Sequence, residues 1–170
     1  SEGVTFTLNK TEFVYTSSVC APVLTEAVDE KIAALVEGVD YTVTIPSSVT
    51  VGSYTVSLKG DGNYFGSLSL TYEITAGTFT ATLGGAAEIV LDYGTILATD
   101  EVETYFSSVA ASNDAGGAII AGGTWEFVIP SDIYNAKGNT GLYRATHDTP
   151  HVIKAVYTLP DSEKPNYESE

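Results

Sequence analysis

LVEGVDYTVTIPSSVTVGSYTVSLKGDGNYFGSLSLTYEITA, residues 35–76, reads as strand after strand. Apolar and polar positions alternate with period two, and threonine, valine and tyrosine dominate, as in strands that lay one face on a core and give the other to water. Val39, Tyr41, Val43 and Ile45 share one face, Tyr54, Val56 and Leu58 the next, and Leu68, Leu70, Tyr72 and Ile74 a third. Pro46, Gly52, the Gly60-Asp61-Gly62-Asn63 run and Gly66 stand between them. These are turn formers, fixing φ or tolerating a positive one. Short strands punctuated this regularly predict a β-sandwich.

The same pattern extends both ways. Val4, Phe6 and Leu8 share a face upstream and Phe13 with Tyr15 begins another, which makes five strands by residue 76. After Gly77 the alternation restarts with Phe79, Ala81 and Leu83, then Ile89, Leu91 and Tyr93, and returns in 125–129, 142–146 and 152–158. A boundary near Ala76-Gly77 divides the chain into domains 1–76 and 77–170. Two segments depart from the strand pattern. Residues 24–37, LTEAVDEKIAALVE, place Val28, Ile32, Leu35 and Val36 at helical spacings among helix formers. In residues 99–111, Asp100 with Glu103 forms a capping box, and Val102, Tyr105, Phe106 and Val109 line one face. That second pattern predicts a short helix ending in the 113–117 loop.

Composition narrows the partners. The 170 residues carry 22 acidic side chains against 7 basic ones, a formal charge of −15. Residues 1–76 hold 9 acidic and 3 basic groups (−6) and residues 77–170 hold 13 and 4 (−9), so the charge is spread over both halves. Such a surface repels phosphate backbones and anionic membranes, which disfavours nucleic acid and lipid as partners. The single Cys20 permits no internal disulfide, and no apolar run reaches the length of a membrane span. The start is not signal-like and has no initiator methionine, which is compatible with a mature or excised piece of a longer product.

The stretches LVEGVDYTVTI and SVTVGSYTVSLKGDGNYFGSLSLTYEITAG resemble the immunoglobulin-like repeats of large bacterial surface proteins. Gly38, Asp40, Tyr41, Gly52, Gly60, Gly62, Asn63, Tyr64 and Gly66 fall in that order with the expected gaps, over residues 4 to 76. The resemblance implies two strands in 24–37 joined by a turn at Asp29-Glu30, against the helix that propensity suggests. The second half is similar to another repeat of the same kind of protein, through Tyr93-Gly94 with Leu97, Gly123 to Phe127, Pro130, Gly138-Asn139, Gly141, Tyr143, Val156 to Thr158, Pro160-Asp161 and Asn166-Tyr167. Residues 99–121 form an insertion relative to that repeat. In it, Asn166-Tyr167 would open a final strand, and the chain stops three residues later. The resemblance therefore implies all-β architecture: two tandem immunoglobulin-like β-sandwiches, the second with a short helix or long loop and short of its last strand. Further chain or a strand donated by a neighbouring copy would close that edge.

Chemistry is sparse. The 60–66 run approaches a dinucleotide motif, but its third glycine is one place late and a strand pattern follows, so a hairpin turn is the better reading. His147 and His151 flank Asp148 in a segment that Pro150 keeps from being a helix, with no third zinc ligand nearby. Calcium candidates are Asp61 with Asn63, Asp92, and Asp100, Glu101 and Glu103, none with the spacing of a helix-loop-helix calcium loop. Cys20, in Val-Cys-Ala-Pro, is read as a small buried hydrophobe, and no nucleophile elbow occurs. Lys10 and Lys59 lack the apolar acid surroundings of an isopeptide donor. Trp125 is expected in the core, while Tyr134 and Tyr143 could stack sugar rings.

The expected protein is a non-catalytic structural or adhesive module, without cofactor, on the outside of a bacterial cell or a virion. Its alternatives are a filament or virion subunit completed by strand donation between copies, and a carbohydrate-binding module for surface glycans.

Overall fold

The computed structural model describes residues 4–28, 35–85, 90, 92, 96–128, 142–144 and 152–168. The fold is all-β; among the described residues the helical elements are one short α-helix and two 3-10 turns. By contacts, the chain forms two compact units: Ser1–Thr78 with Asn113–Ala118 and Lys164–Glu170, and Phe79–Ser112 with Ile119–Glu163. The chain thus passes between units at four places, and two stretches of its second half belong to the first unit.

The described residues of the first unit form two sheets. Strand β1 (Val4–Leu8) pairs antiparallel with β3 (Leu24–Val28), Phe6 opposite Glu26. In the other, β2 (Glu12–Val14), β4 (Tyr41–Thr44), β5 (Gly52–Gly60) and β6 (Ser67–Thr75) lie in the order β2-β6-β5-β4. The β5–β6 hairpin runs antiparallel from Gly52 opposite Ile74 to Lys59 opposite Ser67, whereas β2 joins β6 in parallel. Alternation decides the faces: Val56, Leu58, Tyr72 and Ile74 are buried, while Thr55, Ser57, Thr71 and Glu73 between them are exposed. The two sheets meet through Phe6 and Tyr41, whose rings stand edge to face at 5.1 Å. At the other end of the stripe Tyr72 touches Phe13 at 5.7 Å and stacks on Tyr54 at 5.5 Å. Each fully buried large side chain here contributes about 2 kcal/mol.

In residues 24–37 the described part is strand, not helix, to Val28; Asp29-Glu30 and the rest of 29–34 lie outside the described residues. Propensity yields because β3 satisfies its backbone on β1 and seats an alternating face, which an isolated helical stretch cannot match.

In the second unit, β7 (Phe79–Gly85), β9 (Phe106–Asn113) and β10 (Ile119–Ile120) form a sheet in the order β10-β9-β7. Strand β11 (Thr124–Val128) pairs with β13 (Lys154–Thr158), and β8 (Ile96–Ala98) with β12 (Leu142–Arg144). The helix expected over 99–111 is much shorter. Helix α1 (Thr99–Val102) and a 3-10 turn at Glu103–Tyr105 give way to β9 at Phe106. The 106–113 backbone finds ladder partners on both sides, and one helical turn retains only the buried Val102. Phe106 stacks flat on Phe127 at 5.1 Å, and Tyr157 touches both Phe79 and Trp125. Among the described residues no helix is long and apolar enough to cross a membrane.

Candidate functional site

The β5–β6 turn is built from the glycine run. Gly60 N–H donates to the Gly66 carbonyl at 3.0 Å and closes the loop, and Tyr64 N–H donates to the Asp61 carbonyl at 3.0 Å inside it. Gly62 at φ +60° and Gly66 at φ +107° occupy the left-handed region that favours glycine. A strand follows Gly66, so the run is a hairpin whose backbone lacks the helix start a pyrophosphate needs.

A second loop, 36–40, leans on this one. Asp61 N–H donates to the Asp40 carbonyl at 2.8 Å, and a Cβ on Gly62 would lie 3.0 Å from the Val39 carbonyl. The 36–40 loop is itself wound tightly: Asp40 N–H donates to the Val36 carbonyl at 2.9 Å, and Val36 N–H donates to Asp40 Oδ2 at 2.8 Å. Together the two loops form the tip of the first unit's larger sheet.

That tip is apolar where a turn is ordinarily polar. Phe65 is 98 % exposed, and Val36 and Val39 of the other loop, with Tyr64 and Leu68 near it in sequence, are exposed as well. Glu37 and Asp61 are exposed beside them, and Asp40 is half-buried. Under the tip, the Tyr41 phenol is held above its ordinary 10.0 by burial, with the Glu26 and Glu37 carboxylates adding to the shift.

The residues singled out by sequence fall in different places. Asp61 caps its own turn, Oδ1 accepting from Gly62 N–H at 2.8 Å, and Asn63 is exposed two residues on. Asp92 and Glu101 are exposed; the side chains of Asp100 and Glu103, with His147, Asp148, His151 and Tyr134, lie outside what is described. Tyr143 is placed by its backbone alone, opposite Leu97. Among the described residues no three of His, Cys, Asp and Glu converge as a metal site. Cys20 is buried, its Sγ 3.6 Å from the Ser18 carbonyl. Lys10 lies over the Phe13 ring at 4.8 Å, and Lys59 points outward from β5. Trp125 is half-buried against Tyr157 at 5.2 Å, and its buried Nε1 has no hydrogen-bond partner among the described residues.

Phe65 is the residue that sequence reasoning passed over. It occupies the free position of the Gly-Asn-Tyr-x-Gly motif, and a bulky aromatic where glycines turn the chain outward was the available signal.

No family model matches the chain, and no curated protein or solved structure matches it either.

Proposed function

We propose that this chain is a non-catalytic adhesive or structural module of an extracellular bacterial or phage surface assembly, built as immunoglobulin-like β-sandwiches. One observation carries the reading: an almost fully exposed Phe65 at the tip of a hairpin whose loop is fixed by its own hydrogen bonds and braced by a second loop. Rigid sheets that lift a few apolar side chains on fixed loops are the arrangement of recognition scaffolds. The repeat resemblance over residues 4–76 and the all-β architecture support it, as does the long β5–β6 hairpin with β2 running parallel on its edge. The acidic surface keeps neighbouring copies apart in solution through self-repulsion.

The experiment is retention under flow. Beads coated with the chain are washed over a film of extracellular-matrix protein beside beads carrying Phe65→Ser and uncoated beads. Retention by the chain well above both controls supports the reading. Equal retention of all three overturns the adhesive role.

A further inference from the structure

We infer that the tip formed by loops 36–40 and 60–66 docks a basic protein surface: Phe65 packs on apolar side chains of the partner, and Glu37, Asp40 and Asp61 face the lysines or arginines beside them. This deepens the adhesive reading and rests on it.

Three observations identify the occupant. The first is the anchor: Phe65 is almost fully exposed, Val36, Val39 and Tyr64 of the same two loops are exposed as well, and aromatic anchors at the centre of an interface carry much of its binding energy. The second is preorganisation. The bonds Gly60 to Gly66, Asp61 to Asp40 and Val36 to Asp40 hold both loops before any partner arrives, so little ordering entropy opposes binding. The third is charge. Residues 36–68 hold three carboxylates, Glu37, Asp40 and Asp61, against one cation, Lys59, on a chain of net −15. That field repels a second copy, a nucleic acid and an anionic bilayer alike, and it accelerates encounter with a basic surface. A neutral glycan would use the ring and gain nothing from the carboxylates.

The test is an NMR titration of the full chain, labelled with nitrogen-15, against three probes: a short synthetic peptide alternating lysine with leucine, the same peptide with glutamate for lysine, and the neutral oligosaccharide maltohexaose. The lysine peptide is expected to shift the amides of 36–40 and 61–66 saturably, and the other two probes to leave them in place. Phe65→Ser should weaken that binding about thirtyfold, as the loss of an interface anchor does. Raising salt from about 0.05 to about 0.5 M should weaken it further. An unchanged thermal melt of Phe65→Ser shows that the loss is one of contact and not of fold. The inference is overturned if the lysine peptide shifts no tip amide, if its shifts spread over the acidic surface and survive Phe65→Ser, or if maltohexaose moves the same amides. Beads that hold to a film through Phe65 while the lysine peptide leaves the tip untouched overturn this inference and leave the adhesive reading intact.

Discussion

Asn113 Nδ2 donates to the backbone carbonyl of Tyr15 at 2.9 Å, across 98 positions of sequence. The same amide nitrogen reaches the Tyr167 hydroxyl at 3.2 Å, and Oδ1 accepts from Ala115 N–H and Gly116 N–H, so one buried side chain ties three stretches of the first unit together. Around it, Tyr15 and Tyr167 meet edge to face at 5.3 Å. Gly77 N–H donates to the Asn166 carbonyl at 3.0 Å and Glu168 N–H donates to the Gly77 carbonyl at 3.0 Å, while Val51 N–H donates to Asn166 Oδ1 at 3.2 Å.

Asn113→Ala removes those four side-chain bonds at once. A loss of about 3 kcal/mol is expected, at about 1 kcal/mol net for each of several buried hydrogen bonds. Tyr167→Phe keeps the ring against Tyr15 and forfeits only a hydroxyl, for about 1 kcal/mol. Urea unfolding of the full chain should rank the variants in that order.

Gly77 and Gly116 are glycines for lack of space. A Cβ on Gly77 would lie 2.8 Å from the Tyr15 carbonyl oxygen, and one on Gly116 would lie 2.6 Å from that of Thr16. Gly77→Ala and Gly116→Ala should each cost about 2 kcal/mol through forced backbone shifts. Gly117, at φ +67° with open space around it, should cost only about 1 kcal/mol as alanine. A thermal melt of each variant checks the contrast.

These contacts explain where the sequence was readable. Val56 with Leu58 and Tyr72 with Ile74 announce their buried face because each strand carries period two locally. Nothing local announces Asn113, which stands in an Asn-Asp-Ala-Gly-Gly run that any turn could use while its partner Tyr15 is far away in sequence. The short α1 has the same cause: the 99–111 pattern fits a helix, and only the ladders of β9 with β7 and β10 decide otherwise. Asn166-Tyr167, expected to open a final strand of the second half, instead closes a 3-10 turn (Lys164–Asn166) and makes a single parallel bridge to Gly77 within the first unit. At the tip, the glycine run gave the hairpin, whereas the bracing of Asp61 by Asp40 joins loops that composition treats as separate.

Alkaline pH should weaken the fold through Tyr41. Its phenol is raised by burial first and by Glu26 and Glu37 next, so the folded chain holds the proton more tightly than the unfolded one. Its contribution is complete below the ordinary value of 10.0 and is lost as pH rises through the folded value. Tyr41→Phe, which cannot ionise, should show a shallower fall in urea midpoint than the parent as pH rises above 10.0, and the same midpoint trend below it. Equal slopes would falsify the assignment.

Core and tip should respond in opposite ways to truncation. Val56 and Ile74 are fully buried, and Val56→Ala or Ile74→Ala should lose about 2–4 kcal/mol through the cavity left behind. Phe65→Ser removes a side chain that touches little of its own molecule, and its stability should stay within about 0.5 kcal/mol of the parent. Paired denaturant curves read both.

In the proposed role, this tip and not the fold beneath it makes the contact with a partner. The most direct measurement is the detachment force of chain-coated beads from a matrix-protein film, taken on the parent and on Phe65→Ser preparations with matching melting curves. The serine variant is expected to detach at the force of uncoated beads. Detachment at the parent's force, with the fold intact in both, would contradict it.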